Sequence, residues 1–170
     1  MPEIEIRPVV SAGDVAICND MQREYLAWRE LRYAGELAVV HKYDQPRHVE
    51  AGLARTGIDY VLPKGSFLLA WLDGLAVGCA AFHQIGASVC ELKRIYVRDT
   101  ARGFGLGSRL TLATMDLAKA NGYSVARLDT GFRQIEAIAL YEKLGFRRIA
   151  AYYDVPPDLE AILIFMEREL

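Results

Sequence analysis

The segment most able to do chemistry is a loop with glycine at every second position. Gly103, Gly105 and Gly107 follow a run of β-branched and aromatic residues that ends at Val97, and they lead into apolar residues at helical spacing from Leu106 to Leu117. Glycine lets the backbone approach a ligand closely and leaves amide N–H groups without side-chain cover. The first turn of a helix adds unpaired N–H donors and the positive end of the helix dipole. The sequence therefore predicts an anion site at this loop, most naturally for phosphate.

The glycine spacing separates the kinds of phosphate loop. A P-loop requires a lysine directly after its last glycine, and no lysine follows Gly107. The dinucleotide fingerprint requires Gly-x-Gly-x-x-Gly, whereas these glycines alternate with other residues. What remains is Arg-x-x-Gly-x-Gly, from Arg102 to Gly107, behind a strand. A glycine-rich turn that binds no ligand is the alternative interpretation.

A second motif lies further along the chain, where the pattern predicts a helix followed by a strand. It reads Ala137-Ile-Ala-Leu-Tyr141-Glu-Lys-Leu-Gly-Phe146 and is separated from the glycine loop by one helix and one strand. In this order the two motifs resemble those of the GNAT superfamily of acyl-CoA-dependent N-acyltransferases: its pyrophosphate loop and its Ala-x-x-Leu-Tyr-x-x-x-Gly-Phe signature. The resemblance covers residues 67–146 well and the remainder of the chain in outline.

The order of predicted elements agrees with one α/β domain over residues 1–170, a GNAT-like fold with a mixed, mainly antiparallel central sheet flanked by helices. An Asp-Gly turn at Asp73 joins strands Phe67–Leu72 and Leu75–Gln84, and Val89–Val97 completes a meander. The glycine loop then opens a strand–helix–strand crossover. We expect a ligand to enter where meander and crossover meet, since the neighbouring strands diverge there.

Three segments are less clearly patterned. The secondary structure of Leu37–Asp44 is ambiguous. Tyr25 and Trp28 lie on the apolar stripe of a first long helix, where they pack in the core or line an acceptor pocket. Ala161–Glu167 is expected to close the sheet as a strand, and an exposed edge at Ala161–Met166 would be able to pair with a second copy as a homodimer.

The resemblance implies acetyl-CoA as donor, a primary amine as acceptor and direct attack without an acyl-enzyme. Amides from Phe104 to Ser108 would hold the pyrophosphate, with Arg102 adding charge, and the backbone of Ile95–Val97 would pair with the pantetheine arm and polarise the thioester carbonyl. Gln134 stands where the family often has asparagine, so its contact with the cofactor is open. The residues expected at the cofactor are Ile95, Tyr96, Val97, Arg102, Gly103, Phe104, Gly105, Leu106, Gly107, Ser108, Gln134 and Tyr141.

Three side chains are candidates for proton transfer. Tyr141 stands where the family's tyrosine protonates the leaving thiolate, a role that suits a phenol with a pKa of about 10; packing in the helix is the alternative. Glu91, on the central strand, is a candidate base, and a salt bridge to Lys93 or Arg94 is its alternative. Asp129, at the end of a strand, is the rival base, with loop capping as its alternative.

Composition limits the classes of function. The 170 residues are 52% hydrophobic and 25% charged, which is ordinary for one globular domain. A net charge of -2 gives no support for nucleic-acid binding, and no apolar run is long enough to span a bilayer. Three dispersed cysteines predict buried free thiols in a reducing compartment, and the scattered histidines predict no metal site. Without a signal-peptide pattern, we expect a cytoplasmic protein.

These observations predict a cytoplasmic N-acetyltransferase that acts on a small-molecule or polypeptide amine. A non-catalytic acyl-CoA-binding domain that regulates a partner is the alternative, and it would need the glycine loop but not Tyr141 or Glu91. Nucleotide binding through the same loop is a third reading, against which the missing P-loop lysine counts. Acidic residues outside the motifs would favour a cationic acceptor; these are Asp44, Asp59, Asp154, Asp158 and Glu160.

Overall fold

A computed structural model describes residues 2–170. Its seven strands, which come from both ends of the chain and from its middle, form one sheet. The strands are β1 (Ile4–Pro8), β2 (Gly65–Leu72), β3 (Leu75–Gln84), β4 (Val89–Val97), β5 (Val125–Gly131), β6 (Arg147–Ile149) and β7 (Leu163–Glu169). The helices are α1 (Ala12–Arg32), α2 (Leu37–Tyr43), α3 (Pro46–Ala54), α4 (Thr56–Asp59), a 3₁₀ turn at Asp99–Ala101, α5 (Leu106–Ala120), α6 (Ile135–Lys143) and α7 (Pro157–Glu160).

The sheet has the order β1-β2-β3-β4-β5-β7-β6, and every pair is antiparallel except β4 with β5. This confirms the α/β class with a mixed, mainly antiparallel sheet. Because β7 lies between β5 and β6, the prediction that Ala161–Met166 forms an exposed edge is wrong. Residues 165–167 of β7 pair on both sides, so the predicted homodimer loses the free edge on which it rested.

Alternate residues of β2 and β3 are buried on opposite faces of the sheet, which explains their continuous apolar runs. Phe67 and Leu69 of β2 pack with Met21 of α1 on one face. Leu68 and Ala70 pack with α5 on the other face, next to Leu106 and Leu110. The sheet thus holds α1 and the start of α5 on opposite sides, which fixes both elements relative to β4.

A bulge in β4 opens the sheet. Cys79 pairs with Tyr96 but Ala81 pairs with Lys93, so two residues of β4 stand opposite one of β3, and Arg94 has a φ of 57°. Such a bulge bends its strand. The pairing of β4 with β5 then covers three residue pairs, from Val89 to Glu91 on β4. Beyond that point the two strands separate and leave one edge of β4 without a strand partner.

Several predictions about single elements are resolved by the structure. The predicted bounds of β3 and β4 are confirmed, and Leu37–Tyr43 is a helix. The three cysteines are free and buried, as predicted. Within residues 2–170, no helix combines the length and the apolar character that a membrane span requires.

Candidate active site

A cleft of about 390 Å³ lies between β4, the glycine loop and α6. It is lined by eleven of the twelve residues that the sequence places at the cofactor. The exception is Phe104, whose side chain is 42% exposed and lies outside the cleft lining. The motif residues are therefore brought together in one cavity, as their spacing requires.

The glycine loop presents bare backbone at the start of α5. Gly105 is the N-cap, with a φ of 67°, and no side chain caps the helix. Gly103 has a φ of 89°, which also favours glycine. The N–H groups of the first helical turn therefore stay uncovered and point where an anion would lie. Arg102 is at the rim, with its guanidinium 2.7 Å from the carboxylate of Asp99.

The unpaired edge of β4 forms the next part of the cleft. Tyr96 and Val97 pair with β3 on one side, and Ile95 through Val97 line the cleft. Since the bulge has already separated β4 from β5, the outward N–H and C=O groups of this segment are available to an extended ligand. A helix start with free donors and a free strand edge thus lie in one continuous cleft.

A second cavity, of about 240 Å³, adjoins the first. We call it the acceptor cavity; its walls come from α1, α2, β4, β5, α6, α7 and the start of β7. Four residues line both cavities: Tyr25, Ile95, Gln134 and Tyr141. Gln134 donates a hydrogen bond from Nε2 to Tyr25 Oη at 2.9 Å. The predicted acid, Tyr141, therefore lies at the junction of the two cavities.

Tyr141 is 7% exposed and packs edge-on against Phe146. Burial raises the pKa of its phenol above the usual value, and the nearby Tyr25 and Asp129 raise it further. Packing and a chemical role are both compatible with this position, because the ring is in the core while the side chain reaches both cavities. The phenol stays protonated throughout the physiological pH range.

Asp129 lines the acceptor cavity. Tyr153 donates to Asp129 Oδ2 at 3.3 Å, and Lys93 Nζ lies 3.8 Å from the same oxygen. Burial raises the pKa of Asp129, an effect that the charge of Lys93 opposes and that of Glu91 reinforces. No backbone N–H among residues 2–170 donates to this carboxylate, so the structure gives no support to loop capping.

Glu91 lies behind the acceptor cavity and is not part of its lining. The residue is 4% exposed, and its carboxylate is held by Tyr152 Oη at 2.5 Å, His83 Nε2 at 2.6 Å and Lys93 Nζ at 3.3 Å. Burial alone would raise its pKa, but these partners together hold the pKa of Glu91 below the usual value. Of the two predicted bases, only Asp129 opens onto the cavity.

The alternative of a salt bridge at Glu91 is thus present with Lys93 but not with Arg94. The guanidinium of Arg94 instead contacts Thr56 Oγ1 at 2.9 Å and the carbonyl of Gly52 at 3.1 Å, on the side of α3 and α4. The bulge at Arg94 accounts for this difference, because it interrupts the alternation of side chains along β4.

Three of the five acids expected to attract a cationic acceptor already form ion pairs within the protein. Asp44 pairs with Arg29, and Asp59 pairs with Arg55. Asp158 accepts from Lys42 Nζ and Tyr43 Oη, both at 2.7 Å. Sequence reasoning missed Arg29, Tyr33 and Tyr153 as lining residues, because their place depends on contacts between distant segments. Of the two aromatic residues that the sequence offered for an acceptor pocket, Tyr25 lines both cavities, whereas Trp28 lines the cofactor cleft and not the acceptor cavity.

Within residues 2–170, no cluster of three histidine, cysteine or acidic side chains is placed to hold a metal ion. The charged groups near the acceptor cavity instead pair with one another.

Comparison with known proteins agrees with this geometry. A sequence profile of the acetyltransferase (GNAT) family matches residues 21–146. An uncharacterised N-acetyltransferase of Schizosaccharomyces pombe is 37% identical over 112 residues, which are 65% of this chain and 69% of the relative. An IAA acetyltransferase of Azospirillum brasilense is 38% identical over 109 residues, which are 64% and 70% of the two chains. The solved PaiA N-acetyltransferase of Thermoplasma acidophilum, in complex with coenzyme A, shares the fold with a TM-score of 0.67, at 23% identity over 99% of both chains.

Proposed function

Since the chain belongs to the GNAT family of acetyltransferases, we propose that it transfers the acetyl group of acetyl-CoA directly to a primary amine of a small molecule or polypeptide. The observation that carries this proposal is the meeting of the two cavities at Tyr141. A domain that only bound acyl-CoA would need the cleft, and it would leave the acceptor cavity without a role. The buried free thiols support a reducing, cytoplasmic location.

The cleft fits acetyl-CoA in size and chemistry. Its volume of about 390 Å³ is within the range of about 300–1,000 Å³ typical of small-molecule sites. The N–H groups around Gly105 would hold the pyrophosphate, and the open edge of β4 at Ile95–Val97 would pair with the pantetheine arm. Bound acetyl-CoA supplies a thioester whose carbonyl carbon accepts the amine and whose sulfur leaves.

Asp129 is the group we assign to proton removal from the acceptor. An amine reaches the cavity largely as an ammonium ion, and it attacks only after it has lost a proton. The carboxylate of Asp129 faces the cavity, and its raised pKa makes it a stronger base than an ordinary aspartate. Glu91 and Lys93 position this carboxylate and set its charge environment, since both lie within the same cluster.

Tyr141 is the group we assign to the leaving sulfur. Its pKa lies well above that of a thiol, about 8.5, so full proton transfer to a thiolate is uphill. Tyr141 therefore acts first as a hydrogen-bond donor to the charge that develops on sulfur. Such a contact is stronger in the transition state than in the ground state, which is the requirement for raising the rate.

The test compares wild type with Asp129→Asn in an amine-acetylation assay that follows thiol release. We expect the substitution to lower kcat by about 10²-fold or more, with acetyl-CoA affinity by calorimetry unchanged. Wild-type activity requires the ionised carboxylate of Asp129, so kcat should fall as the pH is lowered. Because the pKa of Asp129 is raised, the midpoint of this fall should lie above the usual aspartate pKa of about 3.9. The Asp129→Asn variant should not show this acid-side fall in kcat.

The matched control for that experiment is Asp116→Asn, which removes the same charge from an exposed position on α5. It should leave both kcat and the pH profile as in wild type. A kcat for Asp129→Asn within twofold of wild type would remove Asp129 from the reaction. Failure of the wild-type protein to bind acetyl-CoA would overturn the proposed function itself.

A further inference from the structure

Arg29 lines the acceptor cavity and carries one donor nitrogen that has no hydrogen-bond partner in the described part of the chain. The residue is on α1, lines the cavity, and its side chain is 22% exposed. Its Nε–H is buried and has no hydrogen-bond partner among residues 2–170. Buried polar groups are nearly always paired, so this N–H is a donor without an acceptor in the described chain, and a ligand carboxylate would reach it by displacing Asp44 from the guanidinium.

The other cations of the cavity are already occupied. Lys93 lies between the carboxylates of Glu91 and Asp129. Arg94 lines the cavity but directs its guanidinium to Thr56 and Gly52. Among these three cations, Arg29 is the one with a buried donor nitrogen that lacks a partner among the described residues, and a guanidinium is well suited to a planar carboxylate.

Asp44 already places a carboxylate on that guanidinium. It caps the end of α2, lines the same cavity, and forms an ion pair with Nη2 of Arg29. This contact uses one terminal nitrogen and leaves Nε unpaired, although a bidentate carboxylate would engage both. Asp44 thus occupies part of the site that an incoming carboxylate would fill completely.

The size of the cavity limits what can bring this carboxylate. At about 240 Å³ the acceptor cavity is smaller than the usual small-molecule site of about 300–1,000 Å³. Asp129, from β5, and Arg29, from α1, both line this small space. One compact ligand is therefore able to meet both groups, its amine at Asp129 and its acid group at Arg29.

We propose that the acceptor is a small amine that also carries a carboxylate, such as a free amino acid, with Arg29 as its carboxylate anchor and Asp44 as the internal competitor for that anchor. The inference rests on the proposed acetyl transfer, and it adds the class of acceptor. Tyr25 supports the anchor, since the guanidinium of Arg29 lies 5.7 Å from the centre of its ring.

The test uses pairs of acceptors that differ only in this group: L-amino acids and the corresponding amino-acid amides. Wild type should acetylate the carboxylates with a KM at least about tenfold lower than the amides, since a charge-assisted bidentate contact is lost in the amides. Arg29→Gln should raise the KM for the carboxylates by about tenfold or more and leave the amides nearly unchanged. Arg29→Lys, which keeps the charge without the fork, should fall between the two.

Asp44→Asn should change the KM for carboxylates in the opposite direction to Arg29→Gln. A gain in this variant could not be explained by misfolding, so it separates loss of the anchor from a folding defect. Removing the competing charge should lower the KM for carboxylates by a few-fold, about the effect of one half-exposed ion pair, with no change for amides. Arg23→Gln is the matched control, because this arginine is on α1 with acidic partners but outside the cavity. Calorimetry with acetyl-CoA should give one affinity for all four variants.

Three results would overturn the inference. The first is equal use of carboxylates and amides by wild type, which leaves the acetyltransferase function standing. The second is an Arg29→Gln variant that keeps the wild-type preference for carboxylates. The third is acetylation of neither series by a wild type that binds acetyl-CoA, which removes this acceptor class, whereas lack of acetyl-CoA binding removes the proposed function as well.

Discussion

The cofactor cleft and the acceptor cavity share four residues but are built in different ways. The cleft is made largely from one continuous stretch, residues 95–108, together with α6, and much of its chemistry is backbone N–H and C=O groups. The acceptor cavity draws on seven helices and strands between Tyr25 and Leu163, and its polar groups are side chains. The first site is local in sequence, whereas the second exists only once the chain has folded.

This difference explains why the donor is easier to infer than the acceptor. Backbone groups are the same in every sequence, so a loop needs only glycine and the start of a helix to present them. Side-chain sites depend on pairs such as Arg29 with Asp44 and Lys93 with Asp129, which join distant segments. A motif therefore identifies the acyl donor, and the acceptor has to be read from tertiary contacts.

The largest effect is expected where the cleft depends on backbone alone. Gly105→Val places a branched side chain at a φ of 67°, which strains the backbone by about 1–2 kcal/mol and covers the N–H groups at the start of α5. We expect acetyl-CoA affinity to fall by about 10²-fold or more, which calorimetric titration would measure.

Gly74→Val is the matched control for Gly105. Gly74 has a φ of 78°, and at both glycines an added Cβ would meet no atom within 4 Å. The two variants should lose similar amounts of thermal stability, but only the one at Gly105 should lose the cofactor. Equal acetyl-CoA binding by both would show that the glycine loop is a turn without a ligand.

The next effect is expected on kcat, at the junction of the two sites. Tyr141→Phe removes one hydroxyl and keeps the ring, so kcat should fall by about 10²-fold with acetyl-CoA affinity unchanged. Tyr123→Phe is the comparison, because Tyr123 is equally buried and its hydroxyl donates to the Pro63 carbonyl, away from both cavities. Equal kcat values for the two variants would reduce Tyr141 to a packing residue.

The fold was predictable where the pattern is local. The Asp-Gly turn at Asp73 marks the start of β3, and the predicted bounds of β3 and β4 match the structure to the residue. Leu37–Tyr43 is short and weakly patterned, so its helix was not predictable. In the folded protein the last turn of this helix forms hydrogen bonds to Asp158 of α7. The position of β7 between β5 and β6 was not predictable, because strand order is set by pairing between segments distant in the sequence.

The site follows the same division. The residues of the glycine loop were predictable as a group, since their function depends on spacing. Choosing between Glu91 and Asp129 was not possible from the sequence, because it depends on the bulge at Arg94, on Tyr152 and on the burial that results. These two carboxylates differ in which one faces the cavity and in the direction of the pKa shift, and neither difference is visible in the sequence.

The smallest change in KM is expected when a contact between distant segments in the wall of the acceptor cavity is removed. Asp158 of α7 accepts from Lys42 Nζ and Tyr43 Oη of α2, and these helices form part of the cavity wall. Because this pair is half-exposed, its contribution is about 0–1 kcal/mol. Asp158→Asn should therefore raise the KM for the acceptor by no more than about fivefold, with acetyl-CoA affinity and the kcat at saturation unchanged.

Asp154→Asn removes the same charge from an exposed position before α7, and it should leave the KM as in wild type. A shift confined to Asp158→Asn would show that two helices from distant parts of the chain shape the acceptor site together. Equal values for the two variants would mean that packing around Val40 and Leu159, which line the cavity, holds this wall without the charge pair. A change in acetyl-CoA affinity in the Asp158→Asn variant would instead contradict the separation of the two sites, because cofactor binding would then depend on the wall of the acceptor cavity.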